Sequence, residues 1–255
     1  MVRTVLDAGR PAELLARGVL PVVPLLMVDL DNTLVDRDAA FAEAVTAFLA
    51  GHDLPGADLA WVMTLDAGGY ASRDDVAAAM ADRYRGLVSA GAVHALLDKG
   101  GADHVVPAEL SRGALRRAVA CGWACVIVTN GRVAQQETKI RRAGLDLLVQ
   151  GWVISEAVGC KKPAPTIFQA AAGEVGMPLD GAWVVGDSPH ADIAGAQSLG
   201  LGSVWVSNGK PWTGAASCRP THVAADVATA IDYVISTAST ANAASAAPGA
   251  VRRQD

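Results

Sequence analysis

The stretch LLMVDLDNTLV, residues 25–35, decides how the rest of the chain is interpreted. Its first four residues are apolar and have the length of a buried strand, and two carboxylates, Asp29 and Asp31, follow directly. Side chains two residues apart in a strand point to the same side, so both acids can face one small volume at the strand's carboxyl end. Two negative charges that close are costly unless a cation lies between them or one carboxylate keeps its proton. The stretch therefore predicts a metal site, an acid–base pair, or both.

The composition limits the class of protein. A chain of 255 residues can form one large α/β domain, or a core domain that carries a smaller one. The net charge is −5 and the basic residues are scattered, which argues against a nucleic-acid partner. The apolar run 18–28 is interrupted by Pro21 and Pro24, and no run approaches the length of a membrane span. The four cysteines lack metal-site spacing, so we expect reduced thiols in a soluble, cytoplasmic protein with no membrane partner.

From Val105 onwards, short apolar runs alternate with helical patterns. The predicted strands are Cys125–Val128, Trp152–Ile154, Trp183–Val185 and Ser203–Val206, and the predicted helices are Glu109–Ala120, Ala134–Arg142, Thr166–Gly173, Ile193–Leu199 and Val227–Ile235. Strands that alternate with helices in this way are typical of a parallel sheet covered on both faces. We therefore predict an α/β fold with a doubly wound parallel sheet.

Residues 37–104 interrupt this alternation, because they contain helical patterns and no convincing strand. The helices predicted there are Asp38–Ala50, Leu59–Leu65, Arg73–Tyr84 and Leu87–Leu97. We interpret residues 37–104 as an inserted all-helical module and residues 24–36 and 105–235 as the α/β core. Residues 1–23 are interpreted as a peripheral lead-in, and the small, polar residues 236–255 are predicted to be a disordered tail.

Polar residues follow the predicted strands where a ligand would bind. Ligands of open parallel sheets lie beyond the carboxyl ends of the strands. Thr129, Asn130 and Gly131 follow the second strand and offer a hydroxyl, an amide and a glycine that lets backbone N–H groups approach an anion. Asp187 follows the fourth strand, and Asp192 comes about one turn later. Three strand ends thus present acids in two places and anion-binding groups in one.

The loop CKKPAP, residues 160–165, completes a set of four elements, because its prolines would hold Lys162 in a fixed direction. In order, DLDNTL, VTNG, KPAP and GDSPHAD resemble the four motifs of the haloacid dehalogenase (HAD) superfamily of phosphohydrolases. The resemblance extends from Leu25 to about Ile235. It implies a Rossmann-like core, and it places the helical insertion where the family carries its cap domain.

The resemblance also implies the roles of the acids. Asp29 would be the nucleophile that forms an aspartyl-phosphate. Asp31 would be the general acid and then the general base, and we expect Asp29 and the substrate phosphate to raise its pKa so that it carries a proton while Asp29 stays ionised. Mg²⁺ would be bound by the Asp29 carboxylate, the Asp31 backbone carbonyl and Asp187.

The remaining motif residues would act on the phosphate. Thr129, with Asn130 and Gly131, would bind phosphate oxygens, and Lys162 would offset the charge of the nucleophile and the phosphoryl group. Asp192 would orient Lys162 or a metal-bound water without touching the metal. Thr129 and Lys162 are thus predicted to be catalytic together with the two acids of the first motif.

The function implied by the resemblance is a Mg²⁺-dependent phosphatase that acts on a small phosphorylated metabolite. A phosphomutase with the same aspartyl-phosphate, a dehalogenase and a non-catalytic binding module remain as alternatives. Asp31 disfavours a dehalogenase, because a halide leaving group needs no proton. We also hypothesise that Gly68, Gly69, Tyr70 and Arg73 form a break in the cap that reaches over the active site.

Overall fold

The computed structural model describes residues 23–246, with side chains described as far as residue 237. The strands are β1 Leu25–Val28, β2 Ala124–Thr129, β3 Gly151–Ile154, β4 Trp183–Gly186, β5 Gly202–Val206 and β6 His222–Ala224. The helices are α1 Arg37–Gly51, α2 Asp58–Asp66, α3 Arg73–Arg83, α4 Ala90–Lys99, α5 Glu109–Ala120, α6 Val133–Arg142, α7 Ser155–Val158, α8 Pro165–Glu174, α9 Ala194–Ser198 and α10 Val227–Ala246.

The six strands form one parallel sheet in the order β3-β2-β1-β4-β5-β6. β1 lies at the centre, and all four of its residues are buried. Leu26 and Val28 pack on one face with residues of α5, α6 and α10, whereas Leu25 and Met27 pack on the other face with residues of α8 and α9. Both faces of the sheet are therefore covered, which confirms the predicted doubly wound α/β fold.

Residues 37–104, for which we keep the name cap that the resemblance suggests, fold as four α-helices and two short 3₁₀ turns. Buried residues of all four helices, among them Phe41, Val62, Met80 and Val93, form an apolar cluster of their own. The fourth helix begins at Ala90 rather than at the predicted Leu87, because the Ser89 side chain accepts a hydrogen bond from the Ala92 N–H and caps the helix there.

The structure differs from the sequence-based prediction mainly near the C-terminal end of the described residues. The disordered tail predicted from Ser236 is wrong for residues 236–246, because α10 continues to Ala246. Alanine has the highest helix propensity, so this alanine-rich segment can continue the helix without a strong apolar pattern. The short strand β6 was not predicted. The lead-in predicted at residues 1–23 falls almost wholly outside the described residues, as do residues 247–255. Within residues 23–246, none of the helices combines the length and apolar character needed to cross a bilayer.

Close packing of α9 against α8 fixes the loop that carries Lys162. A Cβ atom at Gly195 would lie 2.5 Å from the Phe168 ring and 3.4 Å from Cα of Pro163. We expect Gly195→Ala to lower the free energy of unfolding by about 1–3 kcal/mol through overpacking. The control Gly173→Ala lies in α8 with no atom within 4 Å of its new Cβ, and it should raise stability by about 0.4–1 kcal/mol. Urea unfolding of both variants measures the difference, and equal effects would contradict this account of the packing.

Candidate active site

The predicted site residues meet at the carboxyl edge of the sheet. Asp29 directly follows β1, and its N–H donates to the carbonyl of Val185 in β4 at 2.9 Å, which extends the strand pairing as far as the acid. Thr129 is the last residue of β2, and Asp187 follows β4. Adjacent parallel strands end at the same edge, so the backbone itself brings these three side chains together.

Lys162 lies at the centre of the site and is buried. Its ammonium group donates to Asp29 Oδ1 at 2.6 Å, to Asp192 Oδ1 at 2.7 Å and to the Val128 carbonyl at 2.7 Å. Burial lowers the pKa of this lysine, but the two carboxylates outweigh burial and raise it above its ordinary value. Lys162 therefore remains charged, with three acceptors for its three N–H groups.

Three acids form an oxygen-lined group beside this lysine. Carboxylate oxygens of Asp29, Asp187 and Asp192 all lie within 4.8 Å of one another. Burial raises the pKa of Asp29 to about 7; Lys162 counteracts this shift, and Asp192 adds to it. Burial, with the charges of Asp29 and Asp192, raises the pKa of Asp187 to about 8. Carboxylate oxygens are ligands that Mg²⁺ prefers, so the donor set and its excess negative charge fit a divalent cation.

Asp192 contacts Lys162, the partner that the resemblance implies for it. Its Oδ1 accepts from Lys162, and its Oδ2 accepts from the Ser188 N–H at 3.0 Å. Gly186 is needed at the end of β4, because a Cβ atom there would collide with the Asp192 carboxylate. Both oxygens of Asp192 thus have protein partners, which suits a residue that orients Lys162.

Asn130 and Gly131 make contacts within the protein that the sequence did not predict. The Asn130 side chain exchanges two hydrogen bonds with the Lys162 backbone, because Oδ1 accepts from its N–H at 2.8 Å and Nδ2 donates to its carbonyl at 3.1 Å. The Gly131 N–H donates to Ser155 Oγ at 3.0 Å. Glycine is required at this position because Gln136 packs where a Cβ atom would lie. The Gly131 N–H is engaged within the protein, whereas Asn130 Nδ2 uses one of its two N–H groups to fix the lysine loop.

Thr129 is buried, and its hydroxyl oxygen accepts from Gln136 Nε2 at 2.6 Å. The hydroxyl proton remains available for donation toward the acid cluster or a ligand. Thr33, which follows the first motif's acids, donates through Oγ1 to Asp29 Oδ2 at 3.2 Å. The hydroxyl of Thr33 and the ammonium of Lys162 therefore hold the two oxygens of Asp29.

The pKa of Asp31 was predicted to be raised, and this prediction is wrong for the protein alone. Lys139 Nζ donates to both Asp31 oxygens, at 2.7 and 2.9 Å, and Gln136 Nε2 donates to Oδ2 at 2.9 Å. Burial acts to raise the pKa of Asp31, but the Lys139 and Gln136 contacts outweigh it and lower the pKa. The prediction considered only Asp29 and the phosphate as neighbours. Two donors that lie more than 100 residues later in the chain reverse its sign.

Sequence reasoning missed Gln136, Lys139, Thr33 and Ser188. Gln136 and Lys139 stand three residues apart on α6, the helix that follows the VTNG motif, and both are buried. That spacing places them on one helix face. A polar helix face ordinarily indicates that the face is exposed to solvent. The sequence contains no signal that this face instead contacts the acids.

A buried ion pair holds the break in the cap. Arg37 donates two hydrogen bonds to Asp66, one of them at 2.9 Å to Oδ1. Asp66 Oδ2 also accepts from the Gly69 N–H at 2.8 Å. Gly68 and Gly69 have φ values of +65° and +86°, which side chains rarely adopt. The ion pair and the two glycines set the course of the chain that carries Tyr70.

A cavity of about 620 Å³ opens beside Asp187, and Tyr70 lines it from the cap. Ser188, Trp205 and Lys210 line it from the core. Tyr70 is 71% exposed as a whole residue, and desolvation together with the charges of the nearby acids raises its pKa to about 12. The hypothesised break thus reaches the edge of the site through Tyr70.

Arg73, the other polar residue of that hypothesis, does not reach the site. Its guanidinium donates to the Leu97 carbonyl at the end of α4 and to Gln135 Oε1 at 2.8 Å. Arg73 therefore joins the cap to α6 of the core.

Known proteins resemble this chain in sequence over part of its length. Residues 159–230 match the HAD-hydrolase-like family model. A glyceraldehyde 3-phosphate phosphatase from Pyrococcus abyssi is 35% identical over 100 residues, which cover 39% of this chain and 42% of that protein. A phosphoserine phosphatase from Thermus thermophilus is 38% identical over 88 residues, which cover 34% of this chain and 35% of that protein. The chain thus matches about two fifths or less of the length of these curated relatives.

The fold is found in solved structures over nearly the whole described chain. The magnesium-bound HAD-hydrolase YfnB from Bacillus subtilis has a TM-score of 0.71 at 21% identity, and the match covers 84% of this chain and 99% of that one. Four motifs in order, the family match, the relatives and the shared fold agree. The chain is thus similar to the haloacid dehalogenase superfamily of hydrolases in its motifs, in residues 159–230 and in its fold.

Proposed function

We propose that this chain is a Mg²⁺-dependent phosphatase that hydrolyses a monoester of a small phosphorylated metabolite. The observation that carries the proposal is the buried Asp29–Lys162–Asp192 arrangement, with Asp187 within reach of both acids and Thr129 at the neighbouring strand end. It supplies a nucleophile, a fixed cation and a place for a metal around one strand end. The names of the two relatives, both phosphatases, support the same reaction.

Asp29 acts as the nucleophile in the proposed reaction. Thr33 and Lys162 hold its two oxygens, so the direction of the carboxylate is fixed before substrate binds. In the first step a carboxylate oxygen attacks phosphorus, a bond from oxygen to phosphorus forms, and the bond from phosphorus to the ester oxygen breaks. Lys162 offsets the negative charge of the nucleophile and the phosphoryl group. The Thr129 hydroxyl, at the end of β2, donates to a phosphate oxygen.

Asp31 transfers protons in both halves of the reaction. As an acid it gives a proton to the departing ester oxygen, and as a base it takes one from the water that attacks the aspartyl-phosphate. The contacts with Lys139 and Gln136 favour the ionised carboxylate, which is the form that the second step requires. The first step requires the proton form, so the substrate phosphate has to raise the pKa of Asp31 against these contacts.

Mg²⁺, bound by the carboxylates of Asp29 and Asp187 and the backbone carbonyl of Asp31, would neutralise the charge that the acids and the phosphoryl group share. The geometry of the acids and the magnesium in the Bacillus subtilis structure support this assignment. The cavity of about 620 Å³ beside Asp187 suits a small-molecule substrate.

Phosphate release from a panel of phosphorylated metabolites, with and without Mg²⁺, tests the proposed reaction. We expect Mg²⁺-dependent release from at least one monoester, and we expect Asp29→Asn to reduce turnover by at least about 10³-fold because the nucleophile is lost. Asp180→Asn changes an exposed acid in the same way and should leave turnover unchanged. Full turnover by Asp29→Asn would contradict the assignment of the nucleophile. Isomerised product without free phosphate would indicate a mutase, and metal-independent halide release would indicate a dehalogenase.

Thermal unfolding at two pH values tests the metal site. The carboxyl pKa of Asp29 is raised from 3.8 to about 7, and that of Asp187 from 3.8 to about 8. In the pH window between 3.8 and about 8, the folded protein therefore binds more protons than the unfolded chain. Their contribution to stability is therefore lost as the pH rises through the window. Mg²⁺ binds the ionised acids, so it should raise the melting temperature on the order of 5 °C at about pH 8 and much less at about pH 5.5.

Asp187→Asn is the matched variant for this measurement, because it removes one carboxylate and keeps the shape of the side chain. Its melting temperature should respond little to Mg²⁺ at either pH. An equal response to Mg²⁺ at both pH values, or an undiminished response in the variant, would contradict the assignment of these acids to the metal.

A further inference from the structure

Lys139 is a buried cation that none of the four sequence motifs includes. It lies on α6, its side chain is 2% exposed, and its Nζ donates to both oxygens of Asp31 at 2.7 and 2.9 Å. A buried ammonium group is costly unless it is paired, so this bidentate contact fixes both partners. The Asp31 side chain is 26% exposed and has room to turn toward solvent if the contact is lost.

Gln136 lies one turn earlier on the same face of α6 and is fully buried. Its Nε2 donates to Asp31 Oδ2 at 2.9 Å and to Thr129 Oγ1 at 2.6 Å. The amide therefore links the acid to the residue at the end of β2. Lys139 and Gln136 together hold the Asp31 carboxylate from the side of α6.

Contacts with the cap fix the first turn of α6. Arg132 pairs with Asp98 of α4, and Gln135 Nε2 donates to the Asp98 carbonyl at 3.2 Å. Residues 132, 135, 136 and 139 recur at helical spacing, so one stripe of α6 contacts the cap at its beginning and Asp31 further along. The carboxylate is thus held by a helix that is itself anchored to both parts of the protein.

We propose that Lys139, supported by Gln136, is a positioning residue that holds Asp31 in the direction required for both proton transfers. The inference rests on the proposed phosphatase reaction. General acid–base catalysis requires a carboxylate within hydrogen-bond distance of the reacting oxygen. Loss of Lys139 removes the partner that fixes this direction. Only the steps in which Asp31 moves a proton should then become slower.

Two phosphate esters separate this role from general damage. An alkyl phosphate needs a proton on its departing oxygen, whereas p-nitrophenyl phosphate releases a stable anion that needs none. In Lys139→Met, p-nitrophenyl phosphate is mixed rapidly with the enzyme in the presence of Mg²⁺. The first turnover should release nitrophenolate within about threefold of the wild-type rate, because this step needs no proton from Asp31. Steady-state turnover should then be slow, because Asp31 still has to take a proton from water in the second step. Cleavage of the alkyl ester should be slower on the order of 10²-fold already in the first turnover.

Arg141→Met is the matched control, because Arg141 lies on the same helix and pairs with Glu137 at the surface. It should leave both esters unaffected, since an exposed ion pair of this kind contributes little. Circular dichroism melting of each variant shows whether it is folded. If Lys139→Met does not fold, Lys139→Gln, which keeps a donor, should show the same selective loss to a smaller degree.

Equal slowing of both esters in the first turnover would overturn the inference, since it would indicate structural damage. Unchanged cleavage of the alkyl ester would overturn it as well, and so would faster cleavage, since Lys139 would then only oppose protonation of Asp31. These outcomes differ from a failure of the proposed function. In that case the wild-type protein would hydrolyse neither ester, or Asp29→Asn would retain full turnover.

Discussion

The buried ammonium group of Lys162 is the interaction on which the site depends. It donates to Asp29, Asp192 and the Val128 carbonyl, all within 2.6–2.7 Å, and so it joins the ends of β1 and β2 to the loop after β4. A charge in this interior cannot remain without partners. The loop that carries the lysine therefore has to be fixed as firmly as the acids. The Asn130 side chain does this, because it bonds to both the N–H and the carbonyl of Lys162.

The negative charge of the site exceeds what this lysine can balance. Asp29, Asp187 and Asp192 carry three negative charges when ionised, and Lys162 supplies one positive charge, so two negative charges remain. Burial, together with this excess negative charge, raises the pKa of Asp29 to about 7 and that of Asp187 to about 8, so without a further cation the excess is relieved by protonation. A divalent cation would balance the excess, and the acids could then ionise at neutral pH.

The sequence allowed the sheet and the positions of the acids to be predicted, because both follow from local rules. Apolar runs alternating with helices determine a parallel sheet, and the acids follow those runs directly, as Asp29 and Asp187 do. The partners of Asp31 could not be predicted in this way. Gln136 and Lys139 belong to a helix whose buried face is polar, and only the folded structure shows what that face contacts. The role of Asn130 was missed for the same reason, since its partner is a backbone 32 residues away.

The two acids of the first motif differ in pKa because each contacts a different lysine. One lysine contacts two acids, and the other contacts Asp31 through both of its oxygens. Lys162 divides its charge between Asp29 and Asp192, so burial prevails and the pKa of Asp29 is raised. Lys139 bonds to both oxygens of Asp31, so the pKa of Asp31 is lowered despite burial. In the structure alone Asp31 is the stronger acid, which is the reverse of the order that a nucleophilic Asp29 and a proton-donating Asp31 require. In the proposed reaction a metal would favour the ionised Asp29, and the substrate phosphate would favour the protonated Asp31. An ionised Asp29 beside a protonated Asp31 would therefore arise only when the metal and the substrate are both bound.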